Sequence, residues 1–365
     1  MIKPIFFTEG LQMFRRKIRV RKTGFKKYSG DAKAICREIV KDCYNHEKNY
    51  FMASKGHFCE YWSRDFGLCV KPLKELGYEK EIRNTLNYAL KIFKEKRNIT
   101  TTISPKKTPF DFPRFAPDSL AFTLHSLITL DKKNIVNQYK EFLESEARKY
   151  LEKVIEKNTG LVKKKYFSSM KDHSIRESSC YDNVMSAWIS KNLEKLKLKN
   201  PLKDYNLKKI IKNNFWTGTY FIDDLSGREM ITSDANVFPF WTEIFDSKKM
   251  MKSAVETLIE KKLDKPFPIK YSKEKPKVVW YDSFAKGYQA QTIWPMIGYP
   301  YIEVVSKVNK NLAKNYLKQY SKIIEKYKTF LEVYFSTGKP YKLAFYYADE
   351  GMLWASMHLY LSEKL

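Results

Sequence analysis

The sequence predicts an all-α protein, an (α/α)6 toroid built from six helical hairpins. Three observations predict it. From about residue 31 apolar residues recur every three or four positions almost to the end of the chain. The segments marked in this way number about twelve, and several are joined by turns short enough to favour antiparallel αα-hairpins. Six such hairpins can close into a ring that buries an inner layer of helices.

The chain opens with a basic segment, residues 1–30, whose densest run is Arg15-Arg16-Lys17-Ile18-Arg19-Val20-Arg21-Lys22. This run reads as an edge strand with its charges in water, or else as a flexible arm able to grip phosphates. Residues 31–365 make up the barrel. Helices are predicted near 31–47, 64–76, 79–97, 117–129, 133–157, 180–197, 206–214, 237–245, 247–263, 291–306, 310–331 and 349–363. In 79–96 the residues Ile82, Leu86, Leu90 and Phe93 form one apolar stripe, and in 310–331 Leu312, Tyr316, Tyr320, Ile323, Tyr327 and Leu331 form another. Gly77 stands where the helix before it should stop, and Asp246 where the helix through Met251 and Val255 should be capped.

The longer connections are 48–64, 98–116, 158–179, 215–236, 264–290 and 332–348. They are rich in aromatic and polar residues and recur about once per hairpin, which makes them the place to look for function. Phe215 to Ile231 alternates, with Gly227 at a turn, as a small β-hairpin in this loop layer would.

With 365 residues, 43% of them hydrophobic and 15% aromatic, the chain can bury a sizeable core, and no low-complexity stretch divides the barrel. No run approaches the roughly 18 to 20 apolar residues of a membrane span, and the first residues carry no secretory pattern. A soluble, cytoplasmic protein with no membrane partner is expected. The five cysteines, Cys36, Cys43, Cys59, Cys69 and Cys180, are odd in number and form no C-x-x-C. Cys43, His46, His57 and Cys59 are conceivable metal ligands, but Cys36 and Cys43 repeat along one helix face as buried thiols do, so no metal is expected. The net charge of +27 suggests an anionic partner such as nucleic acid, an acidic membrane or an acidic sugar. Many lysines nevertheless sit beside acids, as in Glu79-Lys80-Glu81 and Glu260-Lys261-Lys262, and read mainly as solvated surface.

Five segments carry residues suited to chemistry. Tyr61-Trp62-Ser63-Arg64-Asp65-Phe66 opens a helix after a loop. Met170-Lys171-Asp172-His173-Ser174-Ile175-Arg176 precedes a helix with Tyr181-Asp182-Asn183 and Trp188. Then come Ser233-Asp234-Ala235-Asn236-Val237-Phe238-Pro239-Phe240-Trp241 and Gln291-Thr292-Ile293-Trp294-Pro295. The last is Glu332-Val333-Tyr334-Phe335-Ser336-Thr337-Gly338-Lys339-Pro340, followed by Met352-Leu353-Trp354-Ala355-Ser356. Physically, Asp65 can accept from two hydroxyls, Arg64 can donate or orient a carboxylate, and Trp62, Trp241, Trp280 and Trp294 offer flat faces. Each has a plainer reading: a core tryptophan, an internal Arg–Asp pair, or an acid favoured at a helix start.

In this order the segments resemble the W-x-R-D, M-D-N-S-P-R, G-x-x-W-P and E-x-Y-x-P-x-T-G-x-P landmarks of glucoamylases, trehalases, processing α-glucosidases and glycogen-debranching enzymes. These are the six-hairpin glycosidases. The resemblance runs from about residue 61 to residue 357. It departs from the pattern at Lys171 (inserted), Ile175 (for Pro), Gln291 (for Gly) and around Ser336 (one residue deleted).

What the resemblance implies is a glycoside hydrolase acting with inversion on an α-glucosidic or related bond. Asp172 is then the general acid and Glu332 the general base, with Asp349 and Glu350, at the start of the last predicted helix, as rivals for the base. It implies a sugar-binding set of Trp62, Arg64, Asp65, Arg176, Asp234, Asn236, Trp241, Gln291, Trp294, Tyr334 and Trp354. The substrate is a carbohydrate, an anionic one fitting the charge, and acid/base chemistry calls for no cofactor. Two other readings stay open: a catalytically divergent barrel that binds glycans or a protein, and a basic helical protein that binds nucleic acid.

Overall fold

The computed structural model describes residues 4–365. Among them are thirteen α-helices: α1 Pro4–Thr23, α2 Ala32–Asp42, α3 Ser63–Glu75, α4 Glu79–Lys96, α5 Asp118–Leu130, α6 Lys133–Val154, α7 Cys180–Lys195, α8 Leu207–Phe215, α9 Ser233–Trp241, α10 Lys248–Glu260, α11 Pro295–Ser306, α12 Lys310–Tyr327 and α13 Ala355–Lys364. The helices from α2 to α13 form six inner–outer pairs: the hairpins α3–α4, α5–α6, α7–α8, α9–α10 and α11–α12, and α13 packed on α2. In the inner ring α3 packs on α5, α5 on α7, α7 on α9, α9 on α11, α11 on α13, and α13 returns to α3. The even-numbered helices lie outside.

Patterning explains which helix goes where. Helix α11 is buried along almost its whole length, as an inner helix must be. Helix α12 buries only the stripe Ala313, Tyr316, Leu317, Tyr320 and Ile324 and turns its lysines outward. Where α3 crosses α5 the approach is so close that a Cβ on Gly67 would lie 2.6 Å from the Phe122 side chain.

Because each hairpin is antiparallel, all six inner helices run the same way. Their N-termini share one end of the ring, and each is entered from one of the long connections. Backbone bridges stitch these connections together, Ser54 to Met352, Ser174 to Val278, Thr232 to Ser272, Lys270 to Ile293, Ile293 to Tyr334 and Leu331 to Glu350. The aromatic-rich loops thus form a collar at one mouth. The first turns of α3, α5, α7 and α9 carry Asp65, Asp118, Asp182 and Asp234, where the helix dipole favours negative charge.

Several expectations are corrected. The run Arg15 to Lys22 is neither an edge strand nor a flexible arm but part of α1; arginine and lysine are good helix formers, and burial of Arg16 and Val20 fixes the helix on the barrel. The last helix begins at Ala355, so Asp349 and Glu350 lie before it, in a segment where Glu350 bridges Leu331. The predicted helix 237–245 starts four residues earlier, at Ser233, with the Asn236 amide donating 2.9 Å to the Thr232 carbonyl. The cap of α10 is Ser247, one residue after Asp246. Helix α2 stops at Asp42 because Tyr44–Asn45 pairs with Tyr50–Phe51. Between Phe215 and Ile231 there are two isolated bridges, Trp216 to Phe221 and Ile222 to Ile231, with Gly227 at positive φ.

Candidate active site

At the start of α3, Arg64 is buried and aimed across the mouth. Its Nε donates 2.7 Å to Asp118 Oδ2, a second nitrogen donates to the Ser169 carbonyl, and the guanidinium lies 4.0 Å from Asp172 Oδ1. Asp118 also accepts 2.9 Å from the Tyr181 hydroxyl, so the arginine is held in one orientation by a carboxylate that is itself held.

Asp172 sits at the tip of the 158–179 connection, partly exposed. Ser168 Oγ donates 2.7 Å to its Oδ1 and Gln289 Nε2 donates 3.3 Å to its Oδ2. Its backbone carbonyl accepts from the Tyr166 and Tyr281 hydroxyls. Burial pushes this carboxyl up from its ordinary range, while Arg64 and Ser168 act the other way. The next residue, His173, is fixed by a 3.0 Å contact between Nδ1 and Asp282 Oδ1 and by a 2.7 Å bond from its backbone N–H to Gln289 Oε1.

Glu332 leaves α12's trailing segment fully buried. The Tyr288 hydroxyl donates to Oε1; the Tyr346 hydroxyl and the Asp349 N–H donate to Oε2 at 2.7 and 2.8 Å. All three donors are neutral. Burial therefore wins over hydrogen bonding and lifts the carboxyl to about 7, the range in which a general base works best at neutral pH.

The rival acids are in a different condition. Asp349 accepts from Ser54 Oγ, from the backbone N–H of His57, Phe58 and Glu350, and lies 2.9 Å from Arg16 Nε. Burial would raise it, but the charges and donors around it more than reverse this and hold it below the usual range. Glu350 is gripped by Arg16 and Arg19. Both are charge-saturated from α1 and lack the neutral setting of Glu332. A short relay nevertheless joins Asp349 to it. His57 Nδ1 lies 3.5 Å from Asp349 Oδ1, His57 Nε2 lies 3.1 Å from the Tyr346 hydroxyl, and Tyr346 donates to Glu332.

Of the other predicted residues, Asp65 and Trp354 meet directly. The indole N–H of Trp354 donates 3.0 Å to Asp65 Oδ1, and burial raises Asp65 to about 6. Trp294 stands edge-on to Tyr288 with ring centroids 4.7 Å apart and donates to the Tyr288 carbonyl, 3.0 Å away. Trp62 is half-buried at the rim, with its N–H 3.3 Å from Glu60 Oε2.

The rest are turned to other tasks. Arg176 and Asp234 pair at 2.8 Å in a buried network with Asp223 and Lys171, whose ammonium lies 3.8 Å from each aspartate. Asn236 spends its amide on the Phe221 backbone and Thr232. Trp241 ends α9, about 10 Å deeper than the Asp234 turn at 1.5 Å per residue, and bonds Glu303 at 2.9 Å. Gln291 is exposed and donates 2.5 Å to the Lys273 carbonyl, two residues from the buried Gln289. Tyr334 packs edge-on to Phe267, at 5.1 Å, and its backbone bonds Ile293.

Sequence reading missed Tyr288, Gln289, Tyr346 and Asp118. An aromatic followed by an amide in an otherwise unassigned loop, and an aspartate beginning α5, were the available signals. Cys43 Sγ donates 3.2 Å to the Gly351 carbonyl and His57 serves the relay; neither belongs to a metal-ligand group among the described residues. Among those residues no helix is long and apolar enough to cross a membrane.

No family model matches the sequence, and no curated protein matches it. Solved structures do match. A rhamnosidase from Klebsiella oxytoca with rhamnose bound superposes on 93% of this chain at a TM-score of 0.66 and 12% identity, the chain spanning 65% of that protein's length. A wild-type glycosidase superposes on 92% of the chain and 96% of its own length, TM-score 0.66, 9% identity. The chain has the six-hairpin glycosidase fold. A mannosylglycerate hydrolase from Thermus thermophilus, in complex with Tris and D-glycerate, aligns over 91% of this chain and 100% of its own, TM-score 0.63, 9% identity. The six-hairpin fold accounts for the double ring and for the collar of loops at one end.

Proposed function

We propose that this six-hairpin barrel is a glycoside hydrolase in which Asp172 protonates the glycosidic oxygen and Glu332 deprotonates an attacking water. The observation that supports the reading is that two carboxyl groups raised by burial are each held by one of two adjacent residues, Gln289 and Tyr288. Protonation of the leaving oxygen and removal of a proton from water are the two steps that glycoside hydrolysis needs, and separate carboxyl groups with separate environments allow both. In an inverting enzyme the water stands between the carboxylates, which calls for a separation of roughly 6.5 to 9.5 Å. Arg64 positions Asp172, and Asp65 with Trp354 offers hydroxyl-binding and flat surface beside it.

The proposed substrate is an α-linked glucoside or another small glycoside, with a carboxylate or phosphate in the aglycone suiting the +27 chain. The insertion of Lys171 is compatible with activity, because its ammonium is drawn into the Asp223–Asp234 pair. Asp172→Asn and Glu332→Gln should each abolish turnover of a panel of aryl glycosides and disaccharides while the circular dichroism spectrum is retained. Product released first as the inverted anomer, followed by NMR, supports the mechanism. Unchanged turnover in either variant refutes the assignment.

A further inference from the structure

We propose that the outward face of α1 is a docking surface for an anionic lipid membrane. Helix α1 lies on the barrel by one side only. Arg16 and Val20 are buried there, and Gln12 donates 2.8 Å to the His57 carbonyl. On the opposite side Leu11, Phe14 and Ile18 are 49%, 44% and 39% exposed. Spaced i, i+3, i+7, they fall within an arc of about 60°.

Basic residues flank this stripe on both sides, Arg15 and Lys22 along one edge, Lys17 and Arg21 along the other. None of the four is ion-paired among the described residues, and the sequence carries no acid between Glu9 and Asp31. Lys17 lies 5.3 Å from the Phe14 ring, its ammonium at the margin of the apolar strip. An apolar strip between two cationic rails matches the boundary between acyl chains and anionic headgroups, which accepts both at once. Nucleic acid would use the rails and leave the stripe in water. A second copy of this face would set cation against cation. Surface docking of this kind is separate from a membrane-spanning helix, of which there is none among the described residues.

The test uses the full-length protein sedimented with vesicles of phosphatidylcholine alone or mixed with phosphatidylserine. Pelleting should require phosphatidylserine and fall as salt rises. Combined Leu11→Ser, Phe14→Ser and Ile18→Ser should abolish it, and each of Arg15→Gln, Lys17→Gln, Arg21→Gln and Lys22→Gln should weaken it roughly fivefold. These side chains face away from the barrel, so an unchanged thermal melt identifies a folded variant. The proposal is overturned by pelleting that the triple serine variant retains. It is equally overturned by the absence of pelleting, whether the face then supports dimers lost in that variant or RNA binding that survives it.

Discussion

Tyr288 and Gln289 are neighbours in the chain, yet they hold different carboxyl groups: the tyrosine hydroxyl donates to Glu332 and the glutamine amide to Asp172. One short stretch of the 264–290 connection thereby sets both candidate catalytic groups. Gln289→Ala should lower kcat roughly tenfold or more, the value of one hydrogen bond to a charged group, with less change in KM. An unaltered kcat would remove Gln289 from the positioning role.

The pH dependence of kcat/KM follows from Glu332. A base must be deprotonated, so the rate should rise as pH passes through about 7. Tyr288→Phe removes a donor that favours the charged form, and should move this limb to higher pH. A falling limb at the same place would exchange the roles of Glu332 and Asp172.

Stability carries the same signature without substrate. The folded-state value of Glu332, about 7, lies above its ordinary 4.5. Its stabilising contribution is therefore complete below about 4.5 and lost as pH rises through 7, on the order of 3 kcal/mol. Glu332→Gln cannot ionise, so urea midpoints of variant and wild type should diverge between about pH 4.5 and 7 and keep a constant offset above that, the variant being the less affected. Curves that stay parallel across that window would place the titration elsewhere.

Arg16 is the buried cation facing Asp349 and Glu350. Arg16→Met leaves both acids without their main counter-charge and should cost about 3–5 kcal/mol. Adding Asp349→Asn and Glu350→Gln should restore part of the loss. A neutral effect of the single change in chemical denaturation would contradict the network.

Gly67→Ala tests a close contact of the inner ring, where the new methyl would strike Phe122 on α5. A loss of about 1–3 kcal/mol is expected, recovered in part by Phe122→Leu.

Much of the fold was legible because inner and outer helices differ in how apolar residues repeat. Helix α4 was readable almost to the residue from its stripe, whereas α12 ends at Tyr327, four residues short of the predicted 331, and buries Ala313, Leu317 and Ile324 where Leu312 and Ile323 were expected. Helix α1 was not, because six basic side chains mask its inward face, and the partners that neutralise Arg16 lie more than three hundred residues away. The site was legible only in part. Asp172, Glu332, Arg64, Asp65 and Trp354 lie in or beside the mouth, while Trp241 and Asn236 share a motif-bearing helix but face packing partners. Gln291 and Gln289 differ by two positions in an irregular loop. No periodicity says which of them turns inward; their bonding partners do.

The Arg16 pairing also has a temporal meaning. During synthesis Arg16 leaves the ribosome 334 residues ahead of Glu350. Until then the guanidinium has no carboxylate to enter, the His57–Tyr346 relay has no Asp349 at its head, and Glu332 lacks the backbone donor that Asp349 supplies. In this molecule the contact between the first helix and the last loop can form only once α1 to α12 have all been made.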